Sequence, residues 1–236
     1  MLTATCALLL GLALSIVART TYPQAPVSGQ DRLDWILKEY EAASKKLDTL
    51  QANLTHVKKN KMLDLSETLH GKLKMKRPRK LLLDTTDPTP SKKIINGDTA
   101  WIYEPQLNQA QKLHINENSR QLRDINPLEL AYAGNIEELR RHYMITLVGE
   151  EAVGGKTLCT VSLKLKDQEG EGKYSSIVLK MEEGQWVPTE IKTSDESGDV
   201  EEVYTLSDLV LNKHVSDSDF NFTPPKGVEV VEPQKE

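Results

Sequence analysis

The side chain with the most pointed chemistry lies in the stretch GKLKMKRPRKLLLD, residues 71–84. If this stretch is a β-strand, successive side chains face opposite sides. Lys72, Lys74 and Lys76 then share one face, while Gly71, Leu73, Met75 and Arg77 share the other. A permanently charged guanidinium ends an apolar face, directly before Pro78. It offers five N–H donors in a planar fork and no acceptor. Residue types alone favour an arginine that lays its stem on the apolar face and reaches past the rim to water. The other reading is a donor to whatever covers that face.

Other chemistry finds little support. His56, His70, His114, His142 and His214 are scattered without metal-ligand spacing. The chain has no G-x-S-x-G, H-E-x-x-H, P-loop or dinucleotide glycine pattern. The acidic run VSDSDF (215–220) lacks the glycine and closing glutamate of an EF-hand, so it reads as a solvated turn. Cys159 shares a strand face with Val161, Leu163 and Leu165 and reads as a small buried hydrophobe. No catalytic residue, metal or cofactor is expected, and the protein reads as a non-enzyme.

The elements that must position Arg77 follow from periodicity. Residues 31–50 place Leu33, Ile36, Leu37, Tyr40, Ser44 and Leu47 on one helical stripe, with Asp31 as candidate N-cap. From Leu50 the period becomes two. Leu50, Ala52 and Leu54 form one strand face; Leu65, Leu69, Leu73 and Met75 form the next. Asn96-Gly97 marks a hairpin whose second strand carries Trp101. INPLELAYAG predicts a short apolar helix, with Asn126 as cap, Pro127 in the first turn, Leu128 and Ala131 inward, and Gly134 as stop. A further helical turn covers Ile136–His142. Strands resume after it, with a Gly154-Gly155 turn and with Ile177 and Leu179 facing inward. The sum is an α+β fold, mainly antiparallel β, of about ten or eleven strands. Helices lie on the concave apolar face of a strongly curved sheet.

The chain has 236 residues, of which 28% are charged, and a net charge of −5. That length suits one domain, and the acidic balance excludes a nucleic-acid partner. The uncharged apolar run at 6–18 has signal-peptide length and is too short to span a membrane comfortably. The expected organisation is a cleaved signal peptide at 1–18, a flexible tether at 19–30 and a single domain at 31–236. Cleavage would remove Cys6, so no internal disulfide is expected.

Three segments resemble one family when taken together: MKRP at 75–78, INGDTAWIYEPQLNQAQKL from Ile95, and the closing FNFTPPKGVEVV. They look like the periplasmic outer-membrane lipoprotein carrier family, LolA. The resemblance implies an unclosed β-barrel with helices as a lid over a cavity for acyl chains. It implies a periplasmic, monomeric carrier of lipid-modified proteins. An inner-membrane lipoprotein-releasing transporter would load it, and an outer-membrane acceptor would unload it. An envelope stress sensor of the same fold, binding lipoprotein or an anti-sigma-factor peptide, is the alternative. The family's functional arginine matches Arg77, which would hold the lid shut by hydrogen bonds to lid carbonyls. The expected cavity wall is Leu50, Leu54, Leu69, Leu73, Met75, Trp101, Ile177 and Leu179. Leu33, Ile36, Leu37, Tyr40, Leu128 and Ala131 would face it from the helices. The chain departs from the family in its few aromatics, 5% of residues, with leucines such as Leu81–Leu83 at wall positions.

Overall fold

The structure, a computed structural model, describes residues 29–115, 127–166 and 174–232. The predicted signal peptide, most of the tether and Asn126 lie outside the described residues. Helix α1 spans Gly29–Lys46, so it begins two residues inside the expected tether. Asp31 lies in its first turn, where its charge suits the helix dipole. The buried stripe is Leu33, Ile36, Leu37, Tyr40 and Ser44.

Strands β1 (Thr49–Asn60), β2 (Leu65–Lys76), β3 (Lys80–Asp87), β4 (Ser91–Asn96), β5 (Thr99–Glu104) and β6 (Gln109–His114) form an antiparallel meander. A second meander joins β7 (Tyr143–Val153), β8 (Lys156–Leu165), β9 (Ser176–Glu182), β10 (Pro188–Ser194) and β11 (Val200–Leu211). β1 pairs with β11 and welds the two into one sheet. A last strand, β12 (Glu229–Val231), runs parallel to β6. The sheet order is therefore β12-β6-β5-β4-β3-β2-β1-β11-β10-β9-β8-β7. Twelve strands are described, one more than the upper expectation, because three residues after FNFTPPKG still add to the edge. Among the described residues β7 and β12 do not pair, so the barrel is unclosed.

Helices α2 (Pro127–Ala133) and α3 (Ile136–His142) follow β6. They join α1 on the inner face. One contiguous apolar cluster contains the stripe of α1, Leu128 and Ala131 of α2, and the inward residues of both meanders. At the α1–α2 junction Gly134 has φ +62°, and a Cβ there would stand 2.1 Å from the Ser44 Cβ. The stop glycine thus serves both the left-handed turn and the close approach of two helices.

The outer face is covered by the C-terminal segment. Phe220, Ile94 and Val215 form a separate buried cluster, with Leu82, Trp101 and Phe222 packed against it. The lysine face of β2 also turns out to be partnered. Lys74 pairs with Asp219 at 2.9 Å, and Lys76 and Lys80 reach Asp217 at 2.9 and 2.8 Å. The acidic VSDSDF run is therefore neither a calcium loop nor a free turn. Its aspartates lie on the basic stripe, which holds the Asp217 carboxyl down at about 2.

On the inner side of the β1–β11 pair, buried His56 stacks on Tyr204 at 4.0 Å and meets the Glu202 carboxylate at 3.1 Å. Burial, the largest effect, pulls the His56 pKa below its usual value, and Glu202 opposes the shift. The unfolded chain then protonates His56 first as pH falls from about 6.5. Stability present above that pH should be lost as pH drops through the lower folded value. Urea midpoints between pH 7 and pH 5 should fall for the wild type and fall less for His56→Gln; equal slopes would remove His56 from the effect. Gly134→Ala should cost about 1–3 kcal/mol from overpacking and backbone strain. Part of that cost should return when Ser44→Gly is combined with it, read against Ser44→Gly alone in chemical denaturation.

Candidate functional site

The site is built where β2 turns into β3 and meets the lid. Arg77 follows the last residue of β2, and its backbone N–H donates to the Asp48 carbonyl at 2.9 Å. That fixes the strand end, so the side chain leaves from the rim of the inner face. Its Nη2 donates to the Tyr132 carbonyl of α2 at 2.6 Å. The last four carbonyls of a helix lack partners within the helix and carry its negative dipole end. A guanidinium satisfies both needs at once.

Two further bonds hold the same short helix. The Tyr40 hydroxyl of α1 donates to the Ala131 carbonyl. The Tyr132 hydroxyl donates to the Pro188 carbonyl of β10 at 2.8 Å. Tyr40 and Tyr132 are both almost fully buried, and burial raises both phenol pKa values well above the usual one. Both therefore act only as protonated donors. Sequence reasoning placed Tyr40 as an apolar wall residue and did not single out Tyr132. The missed signal is general: a buried phenol must find an acceptor.

Of the expected wall residues, Leu50, Leu54, Leu73, Met75, Ile177 and Leu179 lie in the inner cluster, together with Leu33, Ile36, Leu37, Tyr40, Leu128 and Ala131 of the helices. Leu69 is buried, at 6% exposure, but lies outside that cluster, and Leu65 beyond it is exposed. The strand outruns its helical cover at that end. Trp101 is a correction. Ala100 beside it points inward, so Trp101 points outward, where it meets Phe222 at 5.4 Å. Leu81–Leu83 divide the same way, with Leu81 and Leu83 inside and Leu82 outside.

The expected hydrophobic cavity between sheet and helices is also corrected. Ile36, Leu50, Leu73 and Leu128 are fully buried, because α1 and α2 fill the concavity. What remains near the latch is a cavity of about 390 Å³ at the rim. Met75, Leu81, Ile95 and Tyr132 give its apolar walls, and Arg77, Arg79 and Glu129 its polar ones. Burial raises the Glu129 pKa, and the charge of Arg79 opposes that.

A second cluster lies across the sheet. Glu150, Cys159 and Glu183 bring three possible ligand atoms within 4.8 Å of one another. Arg32 of α1 already supplies the cation, at 2.5 Å from Glu150 and 3.1 Å from Glu183. Cys159 is buried as expected, and burial together with Glu150 pushes its thiol up to about 12, so it is unreactive. This cluster docks the start of α1.

Residues 45–223 match the family described as outer membrane lipoprotein carrier protein LolA. The chain belongs to the LolA family. Its relatives include an outer-membrane lipoprotein carrier protein of Hahella chejuensis, 25% identical over 207 residues, 88% of this chain and 90% of the relative. The carrier protein of Coxiella burnetii (strain CbuK_Q154) is 26% identical over 164 residues, 69% of this chain and 70% of the relative. Among solved structures, an uncharacterized conserved protein from Thermus thermophilus shares the fold. Its TM-score is 0.54 at 14% identity, with 85% of this chain and 98% of that one covered. No helix among the described residues is long and apolar enough to cross a membrane.

Within this LolA-family chain two of the three segments that carried the resemblance meet physically. MKRP supplies the Arg77 bond to Tyr132, while Trp101 and the FNF phenylalanines pack together on the outer face. A hydrogen bond to a charged group contributes roughly 1.5–3 kcal/mol. Arg77→Leu should therefore raise the amide exchange rate of residues 128–133 by about tenfold or more, with the β1–β2 amides unchanged. Uniform exchange rates in the mutant would mean that the bond does not hold the lid.

Proposed function

We propose that this protein is a periplasmic carrier that binds acyl chains of lipid-modified proteins on its inner apolar face and passes them on without catalysis. The observation that supports it most directly is the Arg77–Tyr132 bond. It is a polar latch on a helix that seals an otherwise apolar concavity. Membership of the LolA family and the names of the relatives point the same way.

The latch explains how a filled interior is compatible with a carrier. The helices occupy the concavity when no cargo is bound, so the apolar surface is never offered to water. Cargo enters by displacing α2, whose own apolar contribution is limited to seven residues, with Pro127, Leu128, Ala131 and Tyr132 buried. Each buried methylene is worth about 0.8 kcal/mol. A few methylenes therefore outweigh the latch, and two or three acyl chains outweigh the helix. On release the competition reverses, because the latch and the packing of α1 and α2 are recovered as chains leave. The energy for directional transfer comes from the donor and acceptor; an inner-membrane lipoprotein-releasing transporter and an outer-membrane acceptor are the partners this reading requires.

In Arg77→Leu the bond is lost and the mouth gains apolar surface. The loaded state should gain on the closed state, so the variant should accept cargo and hand it on poorly. Arg77→Lys should be intermediate, because an ammonium lacks the planar fork. The test is transfer of a triacylated lipopeptide to acceptor, at equal folded concentration of each carrier. Release from Arg77→Leu as fast as from wild type would sink the gating role. An unacylated peptide that displaces a fluorescent fatty-acid probe as well as the acylated one would sink the acyl-driven reading.

A further inference from the structure

We infer that the β1–β2 hairpin tip is a membrane-contact site, which dips the side chains of Met62, Leu63 and Leu65 into the interface of a lipid bilayer. The inference goes beyond the carrier reading and does not depend on it.

Three observations carry it. First, these three side chains are 75%, 61% and 62% exposed. They stand together at one turn, so they form a single apolar point rather than scattered surface positions. Second, the tip projects. β1 and β2 pair along their full length, from Thr49 opposite Lys76 to Asn60 opposite Leu65. On the other side of β2, β3 reaches only as far as His70 opposite Asp87. Residues 65–69 therefore run about 17 Å past β3. Third, the turn is shaped by polar groups. The Leu63 N–H donates to the Asn60 side-chain oxygen at 3.0 Å. The Lys61 N–H donates to the Asp199 carbonyl at 2.8 Å. The Lys61 ammonium reaches the Gly198 carbonyl at 3.0 Å and the Glu201 carboxylate at 3.1 Å. The β10–β11 turn thus holds the tip, and the exposed apolar side chains are left over for something else.

A bilayer fits this shape better than a protein does. Three side chains on a convex point bury on the order of a few hundred Å². A stable protein interface takes roughly 800 Å² from each partner. A fluid bilayer needs no matching pocket. Strand addition to the uncovered β2 edge is opposed by Glu67 in its middle, because a charge on an edge strand discourages pairing. The same edge sets the depth. Its N–H and C=O groups cannot enter hydrocarbon without losing hydrogen bonds, so only the tip goes in. Charge has a small part: Lys61 is paired with Glu201, and Lys58 and Lys59 are offset by Asp64 and Glu67. β2 carries the tip at one end and Arg77 just past the other, about 40 Å away. A bilayer at the tip therefore leaves the rim cavity uncovered.

The test places an environment-sensitive dye on Met62→Cys in the full chain, with Cys6→Ser so that the tip alone is labelled; Cys159 is buried and does not compete. Phosphatidylcholine vesicles should shift the tip dye to the blue, and quenchers carried on the lipid chains should quench it. The same dye on Glu196→Cys, in the neighbouring β10–β11 turn, should respond to neither. Adding Leu63→Ser and Leu65→Ser to the tip-labelled chain should lower the vesicle affinity read from the shift at least about tenfold. Both side chains are exposed, so the urea midpoint should stay where it was. A tip dye that is blind to vesicles would overturn the inference. So would equal shifts at both positions, which would mean adsorption of the whole surface. An affinity unchanged by the two serines would also overturn it, because the dye and not the tip would then be entering the bilayer.

Discussion

The structure depends on how the C-terminal end of one seven-residue helix is satisfied. α2 is too short to be stable by itself, since isolated helices need more than a dozen residues to persist in water. It exists because its apolar side lies on the inner face and because its last turn is tied down from three directions. Tyr40 comes from another helix, Arg77 from the strand rim, and the Tyr132 hydroxyl anchors the same turn to β10. Arg77 and Tyr132 both line the rim cavity, and of the three donors the arginine is the charged one. The other two are buried and hold the helix in place. α2 is thus a marginal element fixed by a few directed bonds, which is the physical property that the proposed opening and closing requires.

The sheet supplies the rigid counterpart. Two meanders joined through β1 and β11 give a continuous wall with edges at β7 and β12. An unclosed barrel leaves room for helices inside, where a closed one of this strand number would enclose a lumen. The outer face is sealed by other means. The C-terminal aromatics cover Ile94 and Trp101, and the lysine stripe of β2 binds Asp217 and Asp219. Apolar capacity is thereby concentrated on the concave side.

Much of this was legible in the residues. Alternation in β1 and β2 put Leu50, Leu54, Leu73 and Met75 inside, and 3.6-residue spacing put Leu33, Ile36, Leu37 and Tyr40 against them. Pro127 and Gly134 bounded the lid helix, and the helix at Ile136–His142 lies where the pattern placed it. The errors are equally instructive. Trp101 was expected on the cavity wall, yet its neighbour Ala100 holds the inward position. In a sheet covered on both faces, a large aromatic does not reveal which side it packs on. Leu69 and Leu65 obey parity, but parity cannot tell where the helical cover ends.

The sequence by itself determined the periodicities, the turns, the apolar stripe of each element and the presence of a charged arginine at the end of an oily strand. These are local properties, fixed by neighbours within a few residues. Only the tertiary structure decided what the arginine meets. The Tyr132 carbonyl lies 55 positions along the chain, and a backbone carbonyl has no signature in the sequence because every residue carries one. The same holds for Tyr40 and Ala131 and for Lys74 and Asp219. Each pairing depends on how a twelve-stranded sheet curls and on which helix end is brought to which strand end. That closure is a property of the whole chain, and no window of it contains the answer.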